Sequence, residues 1–351
     1  MKHLLLLVAI FAASIIPARA ANTLYVFGSS TTNCKPLSKF VDGDSSWTTT
    51  SACLPGPNAA TLNPINSGVF NGYLLLQMAP TGLTGWALFE IPVGSDPSVS
   101  SNWTNPLINL AITTKPQSMV CVTSGCIIVS GGSGSAGNYY TTDGHTWAGD
   151  GGSTYWLWSS VGSYPLITVN NSTAVYVKSS PGSGYAGAAG LPAVPTGGLT
   201  SSSTSAAYYA SGTLYTSTNA GTASPTFTTT HGTCGASNPV GAMSTSVAAN
   251  TVMQLFGTSQ YCSQSGTGSW TTSTYTAALP SSPNFACSAG SADFILVSGY
   301  GVYGYNGTTA LSPATGLTNA TVCSVSGSMS GALAPFTPPV NTTMTIVVSY
   351  N

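Results

Sequence analysis

The sequence predicts an all-β protein, a seven-bladed β-propeller of short four-stranded antiparallel sheets, and three observations predict it. Short apolar strands recur at intervals of a little over forty residues, helical periodicity is absent from nearly the whole chain, and Gly, Pro and β-branched residues interrupt each candidate helix. The repeating strands are Thr23 to Phe27, Tyr73 to Gln77, Met119 to Val122, Leu166 to Val169, Ala206 to Ala210, Thr251 to Phe256 and Asp293 to Val297. After five of them, a few small residues lead to a second short strand: Trp86 to Ile91, Ala174 to Lys178, Thr213 to Ser217, Ser259 to Ser263 and Gly301 to Tyr305. Polar Gly/Ser/Thr turns follow. Seven units at one period fit blades set around an axis, a geometry that leaves only short sheet edges. Met344 to Tyr350 is one strand more than seven units need, and it would complete the first blade from the C-terminal side. Two β-sandwich domains are the competing architecture, since they too consist of short strands between polar turns. Even spacing favours the single ring, residues 21–351.

Lys2 and His3 precede an apolar run from Leu4 to Ile16, then Pro17 and Ala18-Arg19-Ala20. A charged start, a short greasy middle and a small-residue cleavage site describe a secretory signal peptide over residues 1–20. Thirteen residues fall short of the roughly 20 that a membrane-crossing helix needs, so no stable membrane insertion is expected. Cleavage after Ala20 removes the only arginine. Lys35, Lys39, Lys115 and Lys178 then face Asp42, Asp44, Glu90, Asp96, Asp143, Asp150 and Asp293, for a formal charge of −3. Without a basic stripe to neutralise phosphates, nucleic acid is not an expected partner. Apolar and aromatic residues remain abundant enough to offset the entropy of ordering the chain, so the composition describes a folded, neutral protein and not a disordered one.

Eight cysteines remain after cleavage, and an even count in an exported chain favours disulfides. Pairing by proximity gives Cys34 with Cys53, Cys121 with Cys126, Cys234 with Cys262 and Cys287 with Cys323, each closing a loop inside one sheet unit. Zinc is the rival use of cysteine, yet no Cys-x-x-Cys pair occurs and the mature chain has only His145 and His231 as imidazole ligands. No metal or cofactor is expected.

Four turns carry a family resemblance. Tyr140-Thr141-Thr142-Asp143-Gly144-His145-Thr146-Trp147 resembles the Asp-box, the hairpin motif Ser/Thr-x-Asp-x-Gly-x-Thr-Trp of sialidase-like β-propellers, with one residue fewer. Ser263-Gln264-Ser265-Gly266-Thr267-Gly268-Ser269-Trp270 is similar to a degenerate copy with serine in the aspartate position. Ser217-Thr218-Asn219-Ala220-Gly221 resembles its opening half, and Asp42-Gly43-Asp44-Ser45-Ser46-Trp47 keeps the Asp, Gly and Trp but not the spacing. In such a turn an Asp or Asn side chain accepts backbone N–H groups, Gly takes a positive φ and Trp covers the hairpin. Asp143 is therefore expected to hold a turn, with Trp147 and Trp270 as packing residues. The resemblance implies a fold and no activity, because these boxes lie away from the catalytic centre in the family.

Sialidases clamp the substrate carboxylate with three arginines, whose fork of donors matches it bidentately. A mature chain without arginine keeps none of that triad. Other glycosidases need two carboxyl groups about 5 to 9 Å apart. Glu90 with Asp96, Asp143 with Asp150, and Asp42 with Asp44 are the candidate pairs for the alternative function, a secreted glycoside hydrolase. Asp42 and Asp44 also fit a solvated turn that would bind calcium weakly. Neither His145 nor His231 has a local Gly-x-Ser-x-Gly partner for nucleophilic catalysis.

The favoured function is non-catalytic: a secreted or cell-surface protein, periplasmic if the host is a Gram-negative bacterium, that presents a rigid face to a glycan or another extracellular protein. Trp156, Trp158 and Tyr164 gather aromatic surface suited to sugar rings or protein hot spots. The competing role for Trp156 and Trp158 is packing between blades from one face of a strand. Asn102, Asn170, Asn171, Asn306, Asn319 and Asn341 begin Asn-x-Ser/Thr sequons and would be glycan sites in a host with the transferase.

Overall fold

The computed structural model describes the strands and most turns between Thr23 and Ser349. Residues 1–22, 306–321, 324–343 and 350–351, several shorter turn segments and some strand side chains lie outside the description. The described strands form seven sheets. The first contains β1 (Thr23–Gly28), β2 (Cys34–Val41) and β3 (Thr48–Cys53). The second is β4 (Leu62–Phe70), β5 (Tyr73–Pro80), β6 (Trp86–Pro92) and β7 (Thr104–Asn109). The third is β8 (Pro116–Val122), β9 (Gly125–Ser130), β10 (Tyr139–Thr141) and β11 (Ala148–Gly149). The fourth is β12 (Tyr155–Val161), β13 (Tyr164–Val169), β14 (Ala174–Val177) and β15 (Ala186–Gly190). The fifth has β16 (Gly197–Ser201), β17 (Ala206–Ala210) and β18 (Thr213–Ser217). The sixth is β19 (Val240–Thr245), β20 (Thr251–Phe256), β21 (Gln260–Ser265) and β22 (Thr271–Thr274). The seventh has β23 (Phe285–Ala289), β24 (Ala292–Val297) and β25 (Gly301–Tyr305). Two late strands, β26 (Val322–Cys323) and β27 (Met344–Ser349), join the first sheet in the order β26-β27-β1-β2-β3.

Antiparallel neighbours in chain order build each sheet, apart from the parallel β26–β27 pair and the antiparallel β27–β1 pair of the first sheet. The leftover C-terminal strand pairs with β1 from Thr23↔Ser349 to Gly28↔Met344, so the first and last described strands share one sheet. Neighbouring sheets touch mainly through one strand each: β27 with β4, β4 with β8, β8 with β12, β12 with β16, β16 with β19 and β19 with β23, while β23 meets β26. Small sheets in sequential contact make the fold β-rich and propeller-like, without the two large facing sheets of a sandwich. Strand number departs from a uniform four: among the described residues the first sheet has five, and the fifth and seventh have three.

Alternation along a strand places side chains on opposite faces, and here both faces are buried. Leu74, Leu76 and Met78 of β5 enter a cluster with Phe27, Leu37 and Ala52 of the first sheet. Leu75 and Ala79 point the other way, into a cluster with Trp86, Leu88, Met119 and Ile128 between the second and third sheets. Such two-sided burial explains the nearly continuous apolar run of β5. The β4–β5 connection is the two-residue loop Asn71-Gly72, with φ of 49° and 78°, which suits a primed turn whose twist matches antiparallel strands.

Three disulfides lie where proximity placed them: Cys34–Cys53, Cys121–Cys126 and Cys234–Cys262. The first two join directly opposed residues of β2–β3 and β8–β9. The fourth pairing, Cys287 with Cys323, falls on side chains outside the described residues.

Candidate functional site

Tyr140 to Trp147 includes the turn between β10 and β11. Asp143 Oδ1 accepts the backbone N–H of His145 at 2.8 Å and of Thr146 at 2.7 Å, and the Thr141 hydroxyl donates to it at 2.9 Å. The Thr141 oxygen in turn accepts the Gly144 N–H at 2.9 Å. Gly144 has a φ of 84°, and a Cβ there would meet the Phe70 carbonyl oxygen at 3.2 Å, so a glycine suits both the backbone and the close approach. Donation by the N–H groups of Thr146 and His145, and then by the Thr146 and Thr141 hydroxyls, holds the Asp143 carboxyl well below the usual carboxylate range. Asp143 is a turn-holder in this geometry. Trp147 packs half-buried against the cluster between the second and third sheets.

That turn docks on the neighbouring sheet. Asn71 Nδ2 donates to the Asp143 carbonyl at 2.8 Å, which ties the β4–β5 loop to it. On the other flank His145 stacks on Tyr73, with ring centroids 5.9 Å apart, and its Nδ1 hydrogen-bonds Glu90 Oε1. Glu90 stands opposite Leu75 and Thr104 in the sheet, on the face turned toward the third sheet. The Thr104 hydroxyl donates to the same Oε1 at 2.9 Å. Glu90 is buried and its Oε2 has no protein partner, while the His145 side chain is largely exposed. A buried carboxylate thus orients an exposed imidazole and closes one end of the seam between two sheets.

Further along the second sheet, Asn66 Nδ2 donates to Gln77 Oε1 at 2.7 Å, and both amides are fully buried. Their remaining atoms, Asn66 Oδ1 and Gln77 Nε2, lack protein partners, as does the Trp86 indole nitrogen. Sequence reasoning missed this seam. Asn66 and Gln77 gave no motif, and Glu90 and His145 stand 55 positions apart, so only strand register reveals that they meet.

The other anticipated residues divide by position. Asp96, the proposed partner of Glu90, accepts the Ser98 hydroxyl at 2.7 Å and the Ser98 N–H at 2.9 Å, and those two bonds hold its carboxyl low. It braces the loop between β6 and β7, where the Trp103 indole and the Cys53 N–H both donate to the Pro97 carbonyl. Asp42, Asp44, Asp150, His231 and the Gly266 to Gly268 turn lie outside the described residues. Asn219 shares the Asp143 pattern: Ser217 Oγ donates to Asn219 Oδ1 at 2.9 Å and the Thr226 N–H follows at 2.9 Å. Trp270 is buried against Leu214 and Leu255.

Trp156, Trp158 and Tyr164 have side chains outside the described residues. Their backbone shows that β12 contacts β8 and β16 of the adjoining sheets, and that its pairing shifts by one residue between Tyr155 and Leu157. Of the sequons, Asn102 is half-buried with its Nδ2 donating to the Asp96 carbonyl at 2.9 Å; Asn170, Asn171, Asn306, Asn319 and Asn341 lie outside the described residues. Among the described residues no cluster of three or more His, Cys, Asp or Glu forms a metal site, and no helix is long and apolar enough to cross a membrane.

This is a propeller-like β-protein whose clearest polar site is an inter-sheet clasp. No family model and no curated protein matches the chain. Among solved structures it is similar to AztD of Citrobacter koseri, with a TM-score of 0.50 and 10% identity over 93% of this chain and 98% of that one. Weaker likenesses are the WD40 β-propeller domain of Doa1, with a TM-score of 0.45 and 12% identity over 79% and 90%, and BamB from Moraxella catarrhalis, with 0.45 and 9% over 81% and 80%. The AztD likeness is one of fold alone.

Proposed function

We propose that residues 21–351 form one closed ring of seven blades that works outside the cytoplasm as a non-catalytic binding module, offering a rigid neutral face to a glycan or another extracellular protein. The observation that carries this reading is the employment of the described carboxylates of the candidate pairs: Asp143 and Asp96 hold turns and Glu90 holds a neighbouring sheet. Groups committed to several structural bonds are poorly placed to exchange protons with a substrate. Closure of the ring is supported by the sequential contacts and by β26 and β27 joining the first sheet. Three disulfides favour an oxidising compartment and preorganise the loops, which lowers the entropy lost on binding. The turns at Asp143 and Asn219 are degenerate Asp-boxes in this proposal, and Trp156, Trp158 and Tyr164 supply the contact surface.

A glycan array and a pull-down from the extracellular medium, run with the parent and with Trp158→Ala, test it. Weaker capture by a variant with parental circular dichroism and melting supports a binding face at β12. Glycan cleavage by the parent that disappears in folded Glu90→Gln would overturn the non-catalytic function.

A further inference from the structure

We propose that the outer edge of the sixth sheet is an O-glycosylation site, with the hydroxyls of Thr271, Thr274 and Ser281 as acceptors for a hexose or N-acetylhexosamine. The proposal rests on the extracytoplasmic location proposed above. β22 is the outermost strand of its sheet and pairs with β21 in unbroken register from Gln260↔Thr274 to Ser263↔Thr271. Thr271, Thr272 and Thr274 are exposed on it, and exposure continues through Thr276, Pro280, Ser281 and Ser282. Two apolar anchors fix this stretch: Tyr275 and Leu279 are buried, and their N–H groups donate to the carbonyls of Ser259 at 3.0 Å and Thr258 at 2.8 Å. The strand and the bent segment after it are therefore pinned from below, with Thr271, Thr274, Pro280 and Ser281 exposed.

Free sheet edges are commonly guarded by charge, proline or a bulge, because an unguarded edge pairs with other chains. Three of the other outer strands have such guards. β7 carries Pro106 and a register shift against β6, β15 pairs irregularly with β14, and the β18 edge is bridged by Thr228. β22 has none of them, and no charged residue occurs between Ser269 and Pro283. Bulky hydrophilic sugars on its threonines would guard the edge and add solubility to a chain that is only 4% charged. Hydroxyl-rich sequence flanked by Pro280 and Pro283 has the composition of O-glycosylated segments.

Local bonds select the acceptors. Thr272 Oγ1 accepts the Gly235 N–H at 3.1 Å beside Cys262 Sγ, and Ser282 Oγ is bonded to Thr258 Oγ1 at 3.1 Å. Thr276 is engaged as well, and Thr271, Thr274 and Ser281 are the assigned sites. In the transfer, the hydroxyl oxygen attacks the anomeric carbon of a sugar activated as a nucleotide or lipid phosphate. The bond from that carbon to the donor phosphate oxygen breaks, the phosphate leaves with the electron pair, and a transferase base takes the hydroxyl proton.

The test uses full-length protein recovered from its own host, with the same chain made in a cytoplasm free of glycosyltransferases as reference. Intact mass should show sugar increments in the first sample only, and fragmentation that preserves glycosidic bonds should place them on Thr271, Thr274 or Ser281. A Thr271→Val/Thr274→Val/Ser281→Ala variant should lose those increments while keeping its circular dichroism. Unmodified peptide 271–282 from the native host overturns the proposal, as does sugar confined to its other hydroxyls, such as Thr272, Thr276 or Ser282. Mapping the parent gives this answer even if the variant fails to fold. An N-terminus at Ala21 in the same sample reports on export separately.

Discussion

His145 in the β10–β11 turn hydrogen-bonds Glu90 in β6 across the seam between the second and third sheets, with the carboxylate side chain 1% exposed and the imidazole side chain 60% exposed. Thr104 is the other donor to that carboxylate oxygen. Removing the imidazole leaves a buried acid short of a partner, and a buried group stripped of a partner carries most of its desolvation cost. His145→Ala is therefore expected to lower stability by about 1 to 3 kcal/mol, read by urea unfolding at neutral pH. Glu90→Gln combined with His145→Ala should cost less than the two single changes added together, by on the order of 1 kcal/mol. Additive effects would show that the two side chains do not support one another.

Asp143 predicts a pH dependence of definite sign. Its carboxyl is held below the ordinary range by the N–H groups of Thr146 and His145, so the folded turn gains stability above the unfolded value of about 3.9. That gain is lost as pH falls through the lower folded value. The melting-temperature gap between the parent and Asp143→Ala should be full at pH 6 and should narrow progressively below about pH 4. Asp143→Asn should keep more of the turn than alanine does, because Asn219 already performs the equivalent task with an amide oxygen. A gap that stays constant down to about pH 2 would count against the turn-holding carboxylate.

Gly68 sets the distance between the second and third sheets. A Cβ on it would lie 2.8 Å from Cys121 Sγ and 3.2 Å from Met119 Sδ, and the sulfur of a disulfide has little room to yield. Gly68→Ala is expected to destabilise by about 1 to 3 kcal/mol, as overpacking does. Gly149→Ala, where the added carbon would meet nothing within 4 Å, is the control and should leave the melting temperature nearly unchanged.

The same glycine shows why part of the fold was hidden in the sequence. All seven recurring strands and the C-terminal strand are present, with Ala206–Ala210 and Thr251–Phe256 at the anticipated bounds. Those segments are mostly apolar, as strands buried on both faces should be. Three of the strands that touch neighbouring sheets were less legible. β4 reads LNPINSGVF, and β16 and β23 read GGLTS and FACSA, because close approach between sheets admits small residues whose composition resembles a turn. Unit boundaries consequently moved: Tyr73, taken as a unit start, opens the second strand of its sheet. Three disulfides were legible because short loops in one sheet leave little choice of partner. The Glu90–His145 clasp was not, since it depends on the Asn71-Gly72 loop and on strand register together.

Lys35 carries the last prediction. It lies in β2 beside the Cys34–Cys53 disulfide, opposite Ala52, with no solvent exposure. Its Nζ donates to the Ser30 carbonyl at 2.5 Å and the Ala60 carbonyl at 3.1 Å, so the side chain fastens the loop after β1 to the turn Pro57–Thr61. Two neutral oxygens do not replace the hydration of an ammonium ion, and burial lowers its pKa from 10.5 to about 8. A lowered lysine is a stability penalty on the charged form: below about pH 8 both states are protonated and the penalty is full. Between that value and the unfolded value of about 10.4 the unfolded chain binds more protons, so stability rises with pH. The parent should gain on the order of 2 kcal/mol from this residue across that window, measured by urea unfolding relative to Lys35→Met. The methionine variant keeps the apolar stem and has no proton to lose, so its own profile should lack that rise. Parallel profiles for the two proteins from pH 7 to 11 would show that Lys35 titrates alike in the folded and unfolded chains.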